Sequence, residues 1–305
     1  MDDLSWVLHQ YPLALVAVVG LLGLLIGSFL NVVILRVPRM MESEWRQQCV
    51  EFLAADQNPP DAPTESAPPV ENRNKRFDLI FPASHCPACQ HSIAAYDNIP
   101  VLSYLILRGR CRHCQQKISL RYPTIELFTG ILSALVAWKF GLGWPMAAAL
   151  FFTWTLIALT FIDVDHQLLP DSMTLPLVWI GLLLSLGTLF TDPRSAIIGA
   201  VAGYMSLWTI YQLFKLVTGK EGMGFGDFKL FAAFGAWLGW QSLPMIILLS
   251  SLVGAVIGIT LIIVRGRDKN VPIPFGPYLA AAGWLALMWG DAMLDKYYHA
   301  FSMTL

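Results

Sequence analysis

Between Leu13 and Leu35 the chain passes through 23 residues without one charge, and comparable apolar runs recur almost to its end. A helix needs about 20 mostly apolar residues to cross the hydrocarbon of a bilayer, whereas barrel strands are shorter and alternate. Eight such segments are legible: 13–35, 123–141, 144–162, 173–190, 195–217, 227–243, 244–264 and 275–293. Little more than Gln241-Ser-Leu-Pro244 parts the sixth from the seventh, so seven spans also fit. Only 13% of the 305 residues are charged, about half of what covers a soluble domain. The expected fold class is an all-α polytopic membrane protein of about eight transmembrane helices. The start, Met1-Asp-Asp-Leu-Ser, lacks the basic cluster that opens a secretory signal, so no cleaved leader is expected.

Basic residues predict the orientation. With the N-terminus outside, the inner loops hold eleven basic residues from Arg36 to Arg121. They also hold Lys215, Lys220, Lys229, Arg265, Arg267 and Lys269, leaving Lys139, Arg194 and Lys296 outside. This divides the chain into a first transmembrane helix (1–35), a cytoplasmic loop (36–122) and a membrane-embedded bundle (123–305). Gly27-Ser-Phe-Leu-Asn-Val32 in the first helix reads as a packing face. Alternatively, Asn31 and Arg36 line the entrance to a cleft. Within the loop, residues 40–76 read as a flexible insert on the strength of Asn58-Pro-Pro-Asp-Ala-Pro-Thr-Glu-Ser-Ala-Pro-Pro69. Cys49, inside it, has no assigned role.

Cys86-Pro-Ala-Cys89 and Cys111-Arg-His-Cys114 give a C-x2-C-x21-C-x2-C pattern over a module at 84–121. Each pair can turn two thiolates toward one ion, and two pairs complete a tetrahedral zinc shell. Disulfides are disfavoured in a reducing cytoplasm, while metal-free thiols remain the plainer alternative. His85, His91 and His113 flank the cysteines and are able to replace one. Four thiolates leave no open position for water, so the expected zinc is structural and organises a loop too poor in apolar residues to fold alone.

Two polar stretches interrupt the apolar runs: Phe161-Ile-Asp-Val-Asp-His-Gln-Leu-Leu-Pro-Asp171 and Gly222-Met-Gly-Phe-Gly-Asp-Phe-Lys229. Ionisable groups at membrane depth are costly and tend to be kept for function. Asp163 directly follows an apolar run, so it is the deepest of its three carboxylates. Asp165 is expected on another side of the helix, and Asp171 reads as an N-cap. Asp227 follows three glycines in five residues, which let the backbone approach a partner closely. A phosphate loop is excluded because no strand precedes the glycines. Lys229 reads either as the partner of a carboxylate or as an interfacial charge. Glu126, at the start of the second span, reads as a first-turn carboxylate or as functional. Two carboxylates brought together cannot both ionise comfortably; one can take a proton from water while the other polarises a carbonyl. The candidate pair is Asp163 and Asp227. Zincin and serine-elbow signatures are missing. A transporter using membrane carboxylates is the alternative.

These motifs together resemble the bacterial type IV prepilin peptidase family. The resemblance rests on Gly27-Ser-Phe-Leu-Asn31, the paired Cys-x-x-Cys, Gly109-Arg-Cys-Arg112, Ile118-Ser-Leu-Arg-Tyr-Pro123, the Asp-x-Asp stretch and Gly224-Phe-Gly-Asp227. It implies catalytic aspartates at Asp163 and Asp227. It also implies removal of a basic leader after glycine and N-methylation of the new N-terminal residue, usually Phe, with S-adenosylmethionine as methyl donor. No site for that cofactor is recognisable in the sequence. The implied substrates are type IV prepilins or type II secretion pseudopilins held in the bilayer, with no nucleic acid among the partners. The implied location is the bacterial inner membrane, N-terminus periplasmic and active site facing the cytoplasm.

Overall fold

The computed structural model describes residues 11–57, 77–220, 222–265 and 274–302. Nine α-helices are found among them: α1 Pro12–Gln57, α2 Leu102–Ile106, α3 Arg121–Phe140, α4 Trp144–His166, α5 Asp171–Ser185, α6 Pro193–Thr218, α7 Phe225–Leu238, α8 Leu243–Arg265 and α9 Gly276–Ser302. The eight long ones answer the eight expected segments, with altered bounds. By length and composition α1, α4, α6 and the helix covering Trp240–Thr260 suit a membrane crossing. This is a membrane protein.

The first helix does not stop near Leu35. It continues through Pro38 to Gln57, so the proposed insert is helical over its first part. The reason is compositional: Met40 to Gln57 is rich in Met, Glu, Arg, Gln, Leu and Ala, all good helix formers, and Arg46 reaches Glu42 one turn back at 3.0 Å. The Pro-rich part, 58–76, lies outside the described residues, as do Arg267 and Lys269.

Glycine sets the closest helix contacts. On α1, a Cβ at Gly23 would stand 2.5 Å from Ser133 Oγ, and one at Gly27 2.7 Å from the Glu126 Cα. The Gly27 motif is therefore a packing face. Asn31 extends it by donating to the Tyr122 carbonyl at 3.2 Å. Arg36 lines no cleft: it is buried and donates to the carbonyls of Asp78 (2.9 Å) and Pro82 (2.6 Å). Gly199 and Gly203 of α6 similarly admit the α7 backbone at Gly235 and Phe231.

Two helices are shorter than expected. α5 has 15 residues and α7 has 14, about 22 and 21 Å of rise against roughly 30 Å of hydrocarbon. α7 ends where Gly239 takes φ +80°. The pair is locked by Trp237, whose Nε1 donates to the Leu177 carbonyl at 2.8 Å beside Gly181. Phe152, Phe228, Phe234 and Trp237 are fully buried and form the aromatic centre of the bundle. The polar stretches emerge at one end of this core.

Candidate active site and cysteine cluster

α4 carries Asp163 in its last turn and ends at Gln167, where φ is +53° and the N–H returns to the Asp163 carbonyl at 2.9 Å. Leu168 to Pro170 then redirect the chain into α5, leaving Leu169 buried. Asp227 is the third residue of α7. Its N–H donates to the Gly224 carbonyl at 3.2 Å, and its carboxylate turns back toward the Gly224 backbone in the manner of a capping box. Leu169 joins the two stretches: a Cβ at Gly226 would meet Leu169 Cβ at 2.6 Å. Only a glycine lets α7 come this close.

A third segment completes the site. A Cβ on Gly276, at the head of α9, would stand 2.6 Å from Asp163 Oδ2 and 3.4 Å from Leu169 Cδ1. Its backbone N–H interacts with the Asp163 carboxylate. The sequence reading missed this residue, although a glycine between Phe275 and Pro277 at a helix start was the available signal. Gly276→Ala must push Asp163 aside. Displacement of a reacting group by about 1 Å costs on the order of 10²-fold. If Asp163 has the catalytic role that the resemblance implies, the leader cleavage implied with it should fall roughly 10- to 100-fold in Gly276→Ala, read in a rate assay with unchanged membrane insertion.

The charges sort themselves. Asp165 is gripped by Arg121, with Nη1 to Oδ1 at 2.8 Å, and Asp171 receives Lys229 Nζ at 2.6 and 2.7 Å. Asp171 is not the N-cap; Pro170 takes that place and Asp171 is the first helical residue, free to pair across to α7. This also settles Lys229 as a carboxylate partner. Asp163 and Asp227 are left over. They are 6% and 7% exposed, and Asp163 Oδ2 and Asp227 Oδ1 are the buried side-chain oxygens without a hydrogen-bond partner among the described residues. The charge of Asp163 is felt at Asp227. Buried oxygens without donors mark a position built for something other than stability.

Glu126 turns out not to be a first-turn carboxylate. It is the sixth residue of α3, it is buried, and it accepts the Val101 N–H at 2.8 Å, tying the loop module to the bundle.

The cysteines form two matching knuckles. Cys86 N–H bonds the His91 carbonyl and Cys111 N–H the Gln116 carbonyl, both at 2.9 Å; Gln90 and Gln115 turn at φ +59° and +57°. All four sulfurs lie within 4.8 Å of one another, with Cys86 and Cys114 Sγ 3.7 Å apart. Tetrahedral Zn–S bonds of about 2.3 Å place sulfurs about 3.8 Å apart, so the cluster fits a metal ion. His91 and His113 stack on each other with ring centres 3.5 Å apart, and His85 Nδ1 faces the Ala83 carbonyl. None of the three joins the cluster, which is made of the four cysteines alone. The backbone N–H groups of Cys89 and Ala88 hold the Cys86 thiol down to about 6, ready as a thiolate at neutral pH. Protons compete with a metal ion for thiolate sulfur, so metal retention should fall as pH drops, measurable by chelator-free metal release.

Two family profiles match the chain: Bacterial Peptidase A24 N-terminal domain over residues 21–140 and Type IV leader peptidase family over residues 150–259. The chain belongs to the type IV leader peptidase family. Proteins called prepilin leader peptidase/N-methyltransferase are similar over nearly its whole length. The one from Stutzerimonas stutzeri is 53% identical over 95% of this chain and 96% of its own. Those from Pseudomonas aeruginosa (51%, 95% and 96%) and Neisseria gonorrhoeae (49%, 96% of each) are comparable. No solved structure matches the chain. In family terms the N-terminal profile ends with α3, and the peptidase profile runs from within α4 to within α8, so it takes in both Asp163 on α4 and Asp227 on α7.

Proposed function

We propose that Asp163 and Asp227 are the acid/base pair with which this membrane enzyme removes the leader of a prepilin. The observation that carries the reading is the sorting of charge: of the four aspartates in the two stretches, two are neutralised by cations and two are buried with an unpartnered oxygen each. One carboxyl takes a proton from water while the other donates to the scissile carbonyl, and the pair acts as one titrating unit. The Gly276 N–H holds Asp163 in place, and the Arg121–Asp165 and Lys229–Asp171 pairs brace α3 on α4 and α5 on α7 around it.

The enzyme cleaves prepilins and methylates the product, as the shared name of its relatives indicates; a transporter reading has no such support. We place the cut after a glycine at the cytoplasmic face of the inner membrane, with type II secretion pseudopilins as further substrates. S-adenosylmethionine supplies the methyl group. The four cysteines hold zinc, a structural ion with a closed shell that takes no part in hydrolysis. The organisation we favour is a membrane helix (1–35), a loop bearing the cysteine module, and a protease bundle from 123. The test is incubation of the reconstituted enzyme with a prepilin carrying a Gly-Phe junction. The product should begin at Phe and be heavier by one methyl when the methyl donor is present; a different cut would overturn the reading.

A further inference from the structure

The helix α2 and the turn before it are amphipathic with the polar side turned inward. Ser103 is buried with its hydroxyl on the Tyr96 carbonyl at 2.9 Å, and Tyr104 OH reaches the Ile118 carbonyl at 3.3 Å. Leu102, Leu105 and Ile106 of α2 are 51%, 66% and 67% exposed, and Ile99 in the turn before it is 46% exposed. Such a face in water would be an anomaly. Its depth explains it. The Val101 N–H is bonded to Glu126. Glu126 in turn packs its backbone on Gly27, inside the uncharged run of α1. Gly27 lies nine residues before Arg36, the first charge beyond that run, which is about 13 Å along a helix. Side chains lean toward the helix N-terminus, so α2 starts on the order of 10 Å below the level of Arg36. The exposed leucines therefore lie at the depth of acyl chains. On α3, next to Glu126, Leu127, Phe128 and Ile131 are exposed as well. Arg108 and Arg110 follow immediately and are exposed.

We infer that Ile99, Leu102, Leu105 and Ile106 insert into the inner leaflet of the bilayer, making the cysteine module a membrane-seated wedge rather than a free cytoplasmic loop. The occupant of this face is phospholipid: the acyl chains cover the leucines and the phosphates pair with Arg108 and Arg110. The polar groups on the inner side are already satisfied by protein, which is the pattern a lipid-facing element requires.

Benzoylphenylalanine placed at Leu105, at Ile106 and, as a water-facing control, at Lys117 tests this in the full-length enzyme. The protein is reconstituted in vesicles of phosphatidylethanolamine and phosphatidylglycerol, irradiated and weighed intact. We expect a phospholipid adduct at position 105 and at position 106, at least tenfold above that at 117, in preparations that still cleave prepilin. Two sites guard against one that misfolds. Adducts no more frequent at 105 and 106 than at 117 would overturn the inference. So would an adduct that passes from lipid to prepilin when substrate is added, because the face would then be a substrate groove.

Discussion

Asp163→Asn and Asp227→Asn should each lower the rate of leader cleavage by about 10³-fold or more while the protein inserts and folds normally. Removing one member of an acid/base pair forfeits the proton transfer it performs, commonly 10²–10⁴-fold, and the remaining carboxyl cannot serve both roles. Asparagine keeps the shape and relieves the burial of a charge, so stability should be unchanged or slightly higher. The contrast is with Asp165→Asn and Asp171→Asn, which only loosen partly exposed ion pairs worth about 0–1 kcal/mol. Methylation of a pilin supplied without its leader should survive all four substitutions. Product mass with each substrate separates the outcomes, and cleavage by either Asp163→Asn or Asp227→Asn within tenfold of the parent removes that residue from the pair.

The second large effect concerns the cysteines. Cys86→Ser and Cys111→Ser should each reduce bound zinc from about one per chain to a small fraction, because a three-thiolate remnant of a structural site loses most of its affinity. Metal binding is folding energy for such a module, on the order of 10 kcal/mol or more in isolated zinc folds. The knuckle turns at Gln90 and Gln115 should therefore lose protection in hydrogen exchange first, while α4 to α7 keep theirs. Unchanged zinc by elemental analysis would eliminate the four-cysteine assignment. Because the module is fixed to the bundle through Glu126 and Arg36, its loss should also impair cleavage, though less than removal of Asp163.

Much of this site is legible in the chain for a physical reason. Asp163 stands out because it abuts an apolar run with no adjacent cation, Asp227 because three glycines in five residues lead into it, and the cysteines because two tight knuckles impose a fixed spacing. Contacts between distant residues are different. Arg121 and Asp165 lie 44 positions apart and Lys229 and Asp171 lie 58 apart, so the pairing that separates braced from free aspartates appears only in three dimensions. For Gly276 the sequence offers a glycine at a helix start but not its role, which is the absence of a Cβ against a carboxylate more than a hundred residues earlier. The bounds that failed did so locally. α1 runs past Leu35 because its later turns are held by helix propensity and the Arg46–Glu42 pair rather than by apolarity, and α7 stops early because Gly239 leaves the helical conformation while the apolar run goes on.

The claim that both carboxylates act on one carbon is tested most directly by a prepilin-junction peptide in which the scissile carbonyl is replaced by a hydroxyl-bearing tetrahedral isostere. Its dissociation constant should be compared with that of the unmodified peptide. We expect binding to the parent enzyme at least 10²-fold tighter than substrate, the lower end for a transition-state analogue, and loss of that advantage in Asp163→Asn and in Asp227→Asn alike. An isostere that binds both variants as tightly as the parent would show that these aspartates do not meet at the reacting bond.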